Sequence, residues 1–556
     1  MTASPNRVPL ASRGKPLNVL LIVTDQERAR HLIPAGVPLP QRDRLMERST
    51  IFHAAHAATN LCSMSRANLY TGLHAQRNGV WENVPIPNAG QLRRDVSTLG
   101  HLFQDAGFIT GYFGKWHLTA IDEVNPPGVD FMHSLLSSYG FEHSAQDGER
   151  DGTQGGWRYD ANSADSAIEF IDRQRHGDRP WLAAVNFVNP HDIMFFQTCE
   201  RQRATRIMDF PHPIQIAPDD PLYAEDLGIG LPANFGPATL AGKPAAQHEY
   251  QKVMELVLGE IPFDRLDLWS AYQNYYWNCL RDVDRQLGRV LDGLEASGQQ
   301  DRTLVVYTAD HGEMAGVHGL REKSGITYRE VSNVPLWIRH PDAAAGRTSG
   351  ALTSMIDILP TLLSGAGIDM ADLREHHREL KGVDLMNEIG RSSPTGDRAG
   401  DAANGATGEG ERSHVLLQWT SLVHVSVALA KFFAGMRMAK TPQERAKAAA
   451  GGPPDLAPYR GHMRGLFDGR FKYARYFSPR QHHRPENWDD LIRHNDLELY
   501  DTHVDPGETT NLVSDPAAAP RERIESLNRS LNELVDREVG VDDGGHLPGS
   551  VEDWRL

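Results

Sequence analysis

Three places in the 556-residue chain carry side chains that could do chemistry together. The run Asn18 to Thr24 (NVLLIVT) is apolar and rich in β-branched residues, and it ends in Asp25-Gln26. The run Thr303 to Thr308 (TLVVYT) has the same character and ends in Ala309-Asp310-His311-Gly312-Glu313. Continuous apolar runs of this kind predict strands buried on both faces of a parallel sheet, and open α/β sheets bind ligands at the carboxyl ends of their strands. Two carboxylates and an imidazole gathered there would make a site for a divalent cation. An aspartate that ends one strand is more often a turn or cap residue, so the combination carries the argument. The third place is Asn60 to Gly79 (NLCSMSRANLYTGLHAQRNG), with Cys62 four residues before Arg66. A lone cysteine is usually a small buried hydrophobe, but a thiolate beside a cation and Arg66 would have a lowered pKa and act as a nucleophile.

These segments resemble the sulfatase family in several motifs that occur in the family's order. Cys62-Ser63-Met64-Ser65-Arg66 followed by Leu69-Tyr70-Thr71-Gly72 resembles the signature Cys-x-Pro-x-Arg and its Thr-Gly. Asp25-Gln26 resembles the first metal turn, Gly114-Lys115-Trp116-His117 the Gly-Lys-Trp-His element, and Asn189-Pro190-His191 the Pro-His element. Asp310-His311-Gly312 resembles the second metal turn, Lys323 the lysine downstream, and Leu497 to Leu512 the C-terminal element.

The resemblance implies a metal-dependent sulfuric ester hydrolase. Asp25, Gln26, Cys62, Asp310 and His311 would surround one divalent cation (Ca, Mg, Mn or Zn). Cys62 would be oxidised to formylglycine by a formylglycine-generating enzyme; one hydroxyl of its hydrate attacks sulfur and the other expels sulfate. Arg66 would stabilise that group, and His117 would assist it. Lys115 and Lys323 would clamp the transferred group, and His191 would protonate the leaving alcohol. Asn78 either holds its own turn or touches substrate, and His318 either supports the metal turn or touches substrate. The substrate would be a small anionic ester.

Three departures keep alternatives open. Met64 stands at the usual proline, so Cys62 acts either as formylglycine or as a thiol. Gln26 stands at the second aspartate of the first metal turn and is either a neutral ligand or an outer support. His311 stands where many arylsulfatases have asparagine; the Asp25, Asp310, His311 set resembles the phosphonate monoester hydrolase and phosphodiesterase branch and also some alkylsulfatases such as choline sulfatase, and an imidazole ligand suits Mn or Zn. A phosphodiester or phosphonate monoester hydrolase is therefore the second reading, and an inactive ligand-binding relative the third.

Helical patterns at Val96 to Gly107 and Leu266 to Gly298 lie between the strand signals, and Trp181 to Phe187 is a further strand signal. The expected fold is α/β: an alkaline phosphatase-like domain (1–390) with a mostly parallel sheet flanked by helices. A Gly- and Ser-rich linker or loop (391–412) follows, then a smaller α+β domain with an antiparallel sheet (413–556). Asp468-Gly469 predicts a hairpin there. The segment Cys199 to Pro262 is either an excursion over the site or surface decoration. A net charge of -16 repels nucleic acid and anionic membranes. Three scattered cysteines and no signal-peptide core suggest a cytoplasmic protein. A homo-oligomer is left open, because the aromatic stretch Tyr272 to Trp277 suits core or interface.

Overall fold

A computed structural model describes residues 16–389 and 412–547, apart from 85, 87–89, 122–127, 146–152, 208–212, 422, 453, 456–458, 482–483, 516–518 and 546. The expected linker falls almost wholly outside the described residues.

The larger sheet is built from β1 (Asn18–Asp25), β2 (Thr50–Phe52), β4 (Ile109–Gly114), β5 (His143–Ala145), β6 (Trp181–Pro190), β7 (Thr303–Ala309), β8 (Leu336–Arg339) and β9 (Arg347–Ser349). A short parallel pair joins β3 (Ala55–His56) to β10 (Thr353–Ser354). The large sheet runs in the order β5-β4-β6-β1-β7-β8-β2-β9. β1 lies parallel to β6 and to β7, and only β8 runs against its neighbours. Every residue of β1 is buried, as its uninterrupted apolar run predicts.

Alternation along β1 feeds two cores. Val19, Leu21 and Val23 pack on the side of the helices Cys62–Thr71 and Ile358–Gly365. Leu20 and Ile22 pack on the side of the helices Gly155–Arg173 and Leu266–Ala296. Five fully buried aliphatic side chains at ~1.5–3 kcal/mol each make this strand a rigid support for whatever follows it. The helix predicted at Val96 starts later, at Leu99, because the Thr98 side chain accepts from His101 N and caps the first turn.

The C-terminal sheet has the antiparallel order β11-β12-β13-β14: β11 (Val415–Trp419), β12 (His462–Phe467), β13 (Phe471–Phe477) and β14 (Asp496–Asp501). The Asp468-Gly469 hairpin joins β12 to β13, with Asp468 Oδ1 accepting from Arg470 N at 2.9 Å and Phe471 N at 2.6 Å. One face of this sheet packs on the helix Arg521–Glu538. The other face packs on the larger part through Trp419, Met463, Ala474 and Tyr476. The Cys199 to Pro262 segment ties the two parts together. Its helix Ala245–Leu258 places Gln247 Nε2 2.8 Å from Glu498 of β14 and Tyr250 OH on Arg321 O. Tyr272 and Trp277 are buried, so that aromatic stretch is core. Among the described residues, no helix is long and apolar enough to cross a membrane.

Candidate active site

Four adjacent strands deliver the candidate groups. β4 leads into Lys115, β6 into His191, β1 ends at Asp25, and β7 leads into Asp310 and His311. All four run the same way, so these side chains converge at one edge. Gly114 takes φ +97, and a Cβ there would lie 2.0 Å from Asn186 O, so only glycine lets β4 turn Lys115 inward. Cys62 opens the helix Cys62–Thr71, facing the same edge.

Cys62 Sγ lies 3.1 Å from His311 Nε2 and 3.7 Å from Asp25 Oδ1. One donor atom each from Asp25, Cys62, Asp310 and His311 lies within 4.8 Å of the others. His311 Nδ1 lies 3.0 Å from Gly312 O, which only accepts, so Nδ1 carries the proton. Burial lowers the pKa of this imidazole, leaving it neutral with the Nε2 lone pair facing the cluster. Two carboxylates, a neutral imidazole and the group at position 62 fit a divalent cation, with the backbone carbonyl fixing the tautomer from behind.

Basic groups surround the cluster. Lys115 Nζ sits 2.8 Å from Asp25 Oδ2, both side chains being wholly buried. Burial pushes Asp25 upward, but Lys115, His191, Lys323 and His311 together hold it well below the usual carboxylate value. Asp310 is displaced upward by burial and by the Asp25 charge. Lys323 is lowered by burial, yet Cys62, Glu322 and Asp25 outweigh that and keep it charged.

Arg66 reaches the cluster through Asp310. Its guanidinium lies 3.5 Å from Asp310 Oδ2 and donates to Asn186 Oδ1 at 2.6 Å, Trp116 O at 3.1 Å and Lys115 O. It positions Asp310 and the Lys115 turn. Burial and the Asp25 charge push Cys62 up to about 12, against Lys323 and Lys115.

Gln26 is not placed as a ligand. Its Oε1 accepts from Lys323 Nζ, and its Nε2 donates to Glu313 and, at 3.1 Å, to Glu322 Oε2. Asn78 holds its own turn: Nδ2 donates to Leu73 O at 2.8 Å and Oδ1 accepts from Val80 N at 2.8 Å. His318 is buried with its ring 4.1 Å from Tyr328, on the side of Lys243 and Glu330 rather than at the Cys62 cluster. His117 takes a left-handed φ of 56, and its carbonyl accepts from Ser63 Oγ at 2.7 Å, beside the start of the Cys62 helix.

Other groups were not marked by the sequence. Glu27 is buried and paired with Arg42 at 2.6 Å, Arg42 in turn pairing with Asp284 at 2.9 Å, which braces the β1 turn from below. Asn83 Oδ1 accepts from Ser63 N at 3.0 Å at the first turn of the Cys62 helix. From the C-terminal part, Trp419 packs over Gly325, two residues past Lys323, and carries His424 at a ring distance of 5.7 Å. The signal for Glu27 was its place two residues past Asp25; the others had none.

The sulfatase family model matches residues 17–368. The Escherichia coli (strain K12) sulfatase YidJ, itself uncharacterized, is 28% identical over 380 residues, covering 64% of this chain and 69% of that protein. The N-acetylglucosamine-6-O-sulfatase of Bacteroides thetaiotaomicron is 28% identical over 402 residues, covering 65% of this chain and 70% of that one. Among solved structures, the phosphonate monoester hydrolase of Silicibacter pomeroyi superposes with a TM-score of 0.65 at 20% identity, covering 95% of this chain and 96% of that one. The fold is thus shared by enzymes of both ester classes, while the sequence relatives above are sulfatases. The chain belongs to the sulfatase family of sulfuric ester hydrolases.

Proposed function

We propose that the chain hydrolyses a sulfate ester with the side chain at position 62 as nucleophile and a divalent cation held by Asp25, Asp310 and His311. One observation carries this reading: Cys62 Sγ, on the first residue of its helix, is 3.1 Å from a neutral imidazole and 3.7 Å from a carboxylate. A bound cation supplies Lewis acidity toward the sulfuryl oxygens and the nucleophile. Were Cys62 converted to formylglycine, position 62 would hold a hydrated carbonyl with two hydroxyls, one to attack and one to release sulfate.

The protein groups do the rest. Lys115 and Lys323 offset charge on the transferred group, both being buried, where such charges act strongly. His191 protonates the departing alcohol, its position after β6 bringing it within electrostatic reach of Asp25. Arg66 keeps Asp310 and Lys115 in place. Cys62, Cys199 and Cys279 are all unpaired, which supports a reducing, cytoplasmic setting.

The second reading, a phosphodiester or phosphonate monoester hydrolase, is favoured by one feature: the His311 imidazole in the ligand set. Parallel kinetics with 4-nitrophenyl sulfate, bis(4-nitrophenyl) phosphate and a phenylphosphonate monoester separate the two, with metal analysis and mass spectrometry of the peptide containing Cys62. Sulfate hydrolysis dominates if the proposal holds. A diesterase rate orders of magnitude faster overturns it, and an unmodified, fully active thiol overturns the formylglycine step.

A further inference from the structure

The turn after β1 is held by a helix, Leu266–Ala296, that supplies none of the groups assigned above to the reaction. Gln26, directly after Asp25, takes a left-handed φ of 74°. For a residue with a side chain such a backbone conformation costs ~1–3 kcal/mol, and it persists only where the surroundings fix it. Here the main chain of Gln26 is bonded on both sides. Its N–H donates to Asp310 Oδ1 at 3.1 Å, and its carbonyl accepts from Tyr276 OH at 2.9 Å. The same hydroxyl oxygen accepts from Arg28 N at 3.2 Å. One buried hydroxyl therefore spans the turn, giving its single proton to Gln26 and a lone pair to Arg28.

Arg28 extends this grip to the turn after β7. Its Nε donates to Glu313 O at 2.6 Å and its Nη2 donates to Met314 O. The guanidinium lies 5.6 Å from the Tyr276 ring and 5.5 Å from the Trp277 ring, within the range of cation–π attraction. The helix is fixed independently of the Tyr276 hydroxyl: its Asp284 accepts from Gln41 N and Arg42 N at 3.0 Å each. On the far side of Gln26, Asp310 Oδ1 also accepts from His311 N at 2.9 Å. Tyr276 is thus linked to all three candidate ligands, to Asp25 along the chain, to Asp310 through the Gln26 N–H, and to His311 through Arg28 and the Glu313 and Met314 carbonyls.

We infer that Tyr276 is a positioning residue for the cation, setting the conformation of the Asp25 turn and its separation from the Asp310 and His311 turn. This rests on the metal reading proposed above. Divalent cations take their ligand atoms at closely defined distances, so a loosened turn shows first as weaker metal binding. The preceding residue provides the contrast. Tyr275 packs as core, its ring stacked on Phe196 at 4.0 Å and 5.2 Å from Tyr223, neither of which belongs to the two turns.

Titration calorimetry of the full-length, chelator-stripped chain tests the assignment, with MnCl2, CaCl2, MgCl2 and ZnCl2 as separate probes. Tyr276→Phe and Tyr275→Phe each remove one buried hydroxyl, so a general loss of stability would affect metal binding alike in both. The expected result is that Tyr276→Phe weakens the ion the parent binds by ~10-fold or more, the scale typical of groups that orient ligands, while Tyr275→Phe stays close to the parent. Arg28→Lys removes the planar fork that spans the two carbonyls and is expected to weaken the same ion, which keeps the assignment testable should Tyr276→Phe fail to fold. Parent-like affinity in Tyr276→Phe, equal weakening in both tyrosine variants, or parent-like affinity in Arg28→Lys overturns it. A parent chain that takes up none of the four ions overturns the metal reading and this assignment with it, whereas a parent that binds no better than Tyr276→Phe overturns this assignment alone.

Discussion

Replacing Lys115 by methionine isolates the charge that the Gly-Lys-Trp-His turn brings to the site. The main chain of the turn does not depend on that side chain: Lys115 N donates to Asn186 O at 3.0 Å, and its carbonyl accepts from Tyr112 OH at 2.5 Å and from Arg66. What the substitution removes is an ammonium group 2.8 Å from Asp25 Oδ2, with both side chains fully buried. Breaking one side of a buried pair typically costs ~3–5 kcal/mol, because the remaining charge is left without compensation. That cost applies to the metal-free protein. A bound divalent cation supplies the missing positive charge, so the loss in Tm is largest in chelator and shrinks when metal is restored.

The same substitution has a kinetic signature. Removing a preorganised charged donor that meets developing charge costs ~3–4 kcal/mol, which is ~10²–10³-fold in rate, falling on kcat more than on KM. The pH dependence has a definite sign. Asp25 is held below its ordinary value, so it contributes stability above the unfolded carboxylate pKa, and that stability is lost as pH falls through the depressed folded value. Without Lys115 the folded value rises, and acid sensitivity of the metal-free protein begins at higher pH. Steady-state kinetics on aryl sulfates and thermal unfolding from pH 3 to 8, with and without chelator, measure all three effects. A variant with the parent Tm in chelator and a rate loss confined to KM would show that the pairing and the transition-state role are both misassigned.

Cys62→Ala abolishes turnover while costing only ~1 kcal/mol of stability, since one small buried group is exchanged; far-ultraviolet circular dichroism, urea unfolding and kinetics check this. Asp310→Ala lowers bound metal below one ion per chain by elemental analysis and frees Arg66 from its 3.5 Å contact, so full metal occupancy would refute the ligand assignment. Glu538 is pushed up by burial, but Arg412 and His74 override this and hold it down to about 2. It therefore contributes stability above the ordinary glutamate pKa that is lost as pH falls toward about 2. Glu538→Gln removes ~3 kcal/mol in urea unfolding at pH 7, and the gap to the parent protein narrows below the ordinary value of 4.5 and closes as pH falls to about 2.

How far the sequence disclosed this site depended on whether a residue's role is set by its neighbours along the chain. Asp25 and Asp310 were legible because a continuous apolar run fixes a buried strand, and its first polar residue must lie at the strand's end. The α/β core and the C-terminal hairpin at Asp468-Gly469 were legible for the same local reasons. Asn78 was ambiguous because an amide that closes its own turn and one that touches substrate occupy the same sequence context; the bonds to Leu73 and Val80 decide for the turn. His318 follows the second metal turn by only a few residues, yet intervening left-handed turns at Ala315 and Gly316 swing it toward Tyr328.

Gln26 shows the limit most clearly, because its role is set by groups almost 300 residues away. An aspartate at this position would face Glu313 and Glu322, and Glu322 is already pushed up to about 7 by burial and by Glu313. A third carboxylate in that closed layer would raise these values further and compete for Lys323. An amide meets both demands, its oxygen taking the Lys323 ammonium and its nitrogen donating to the two glutamates. The departure at residue 26 thus follows from the acidic pair behind the site. It leaves Asp25 and Asp310 as the carboxylates of the candidate cluster, and it ties Lys323 to the acidic pair through Gln26.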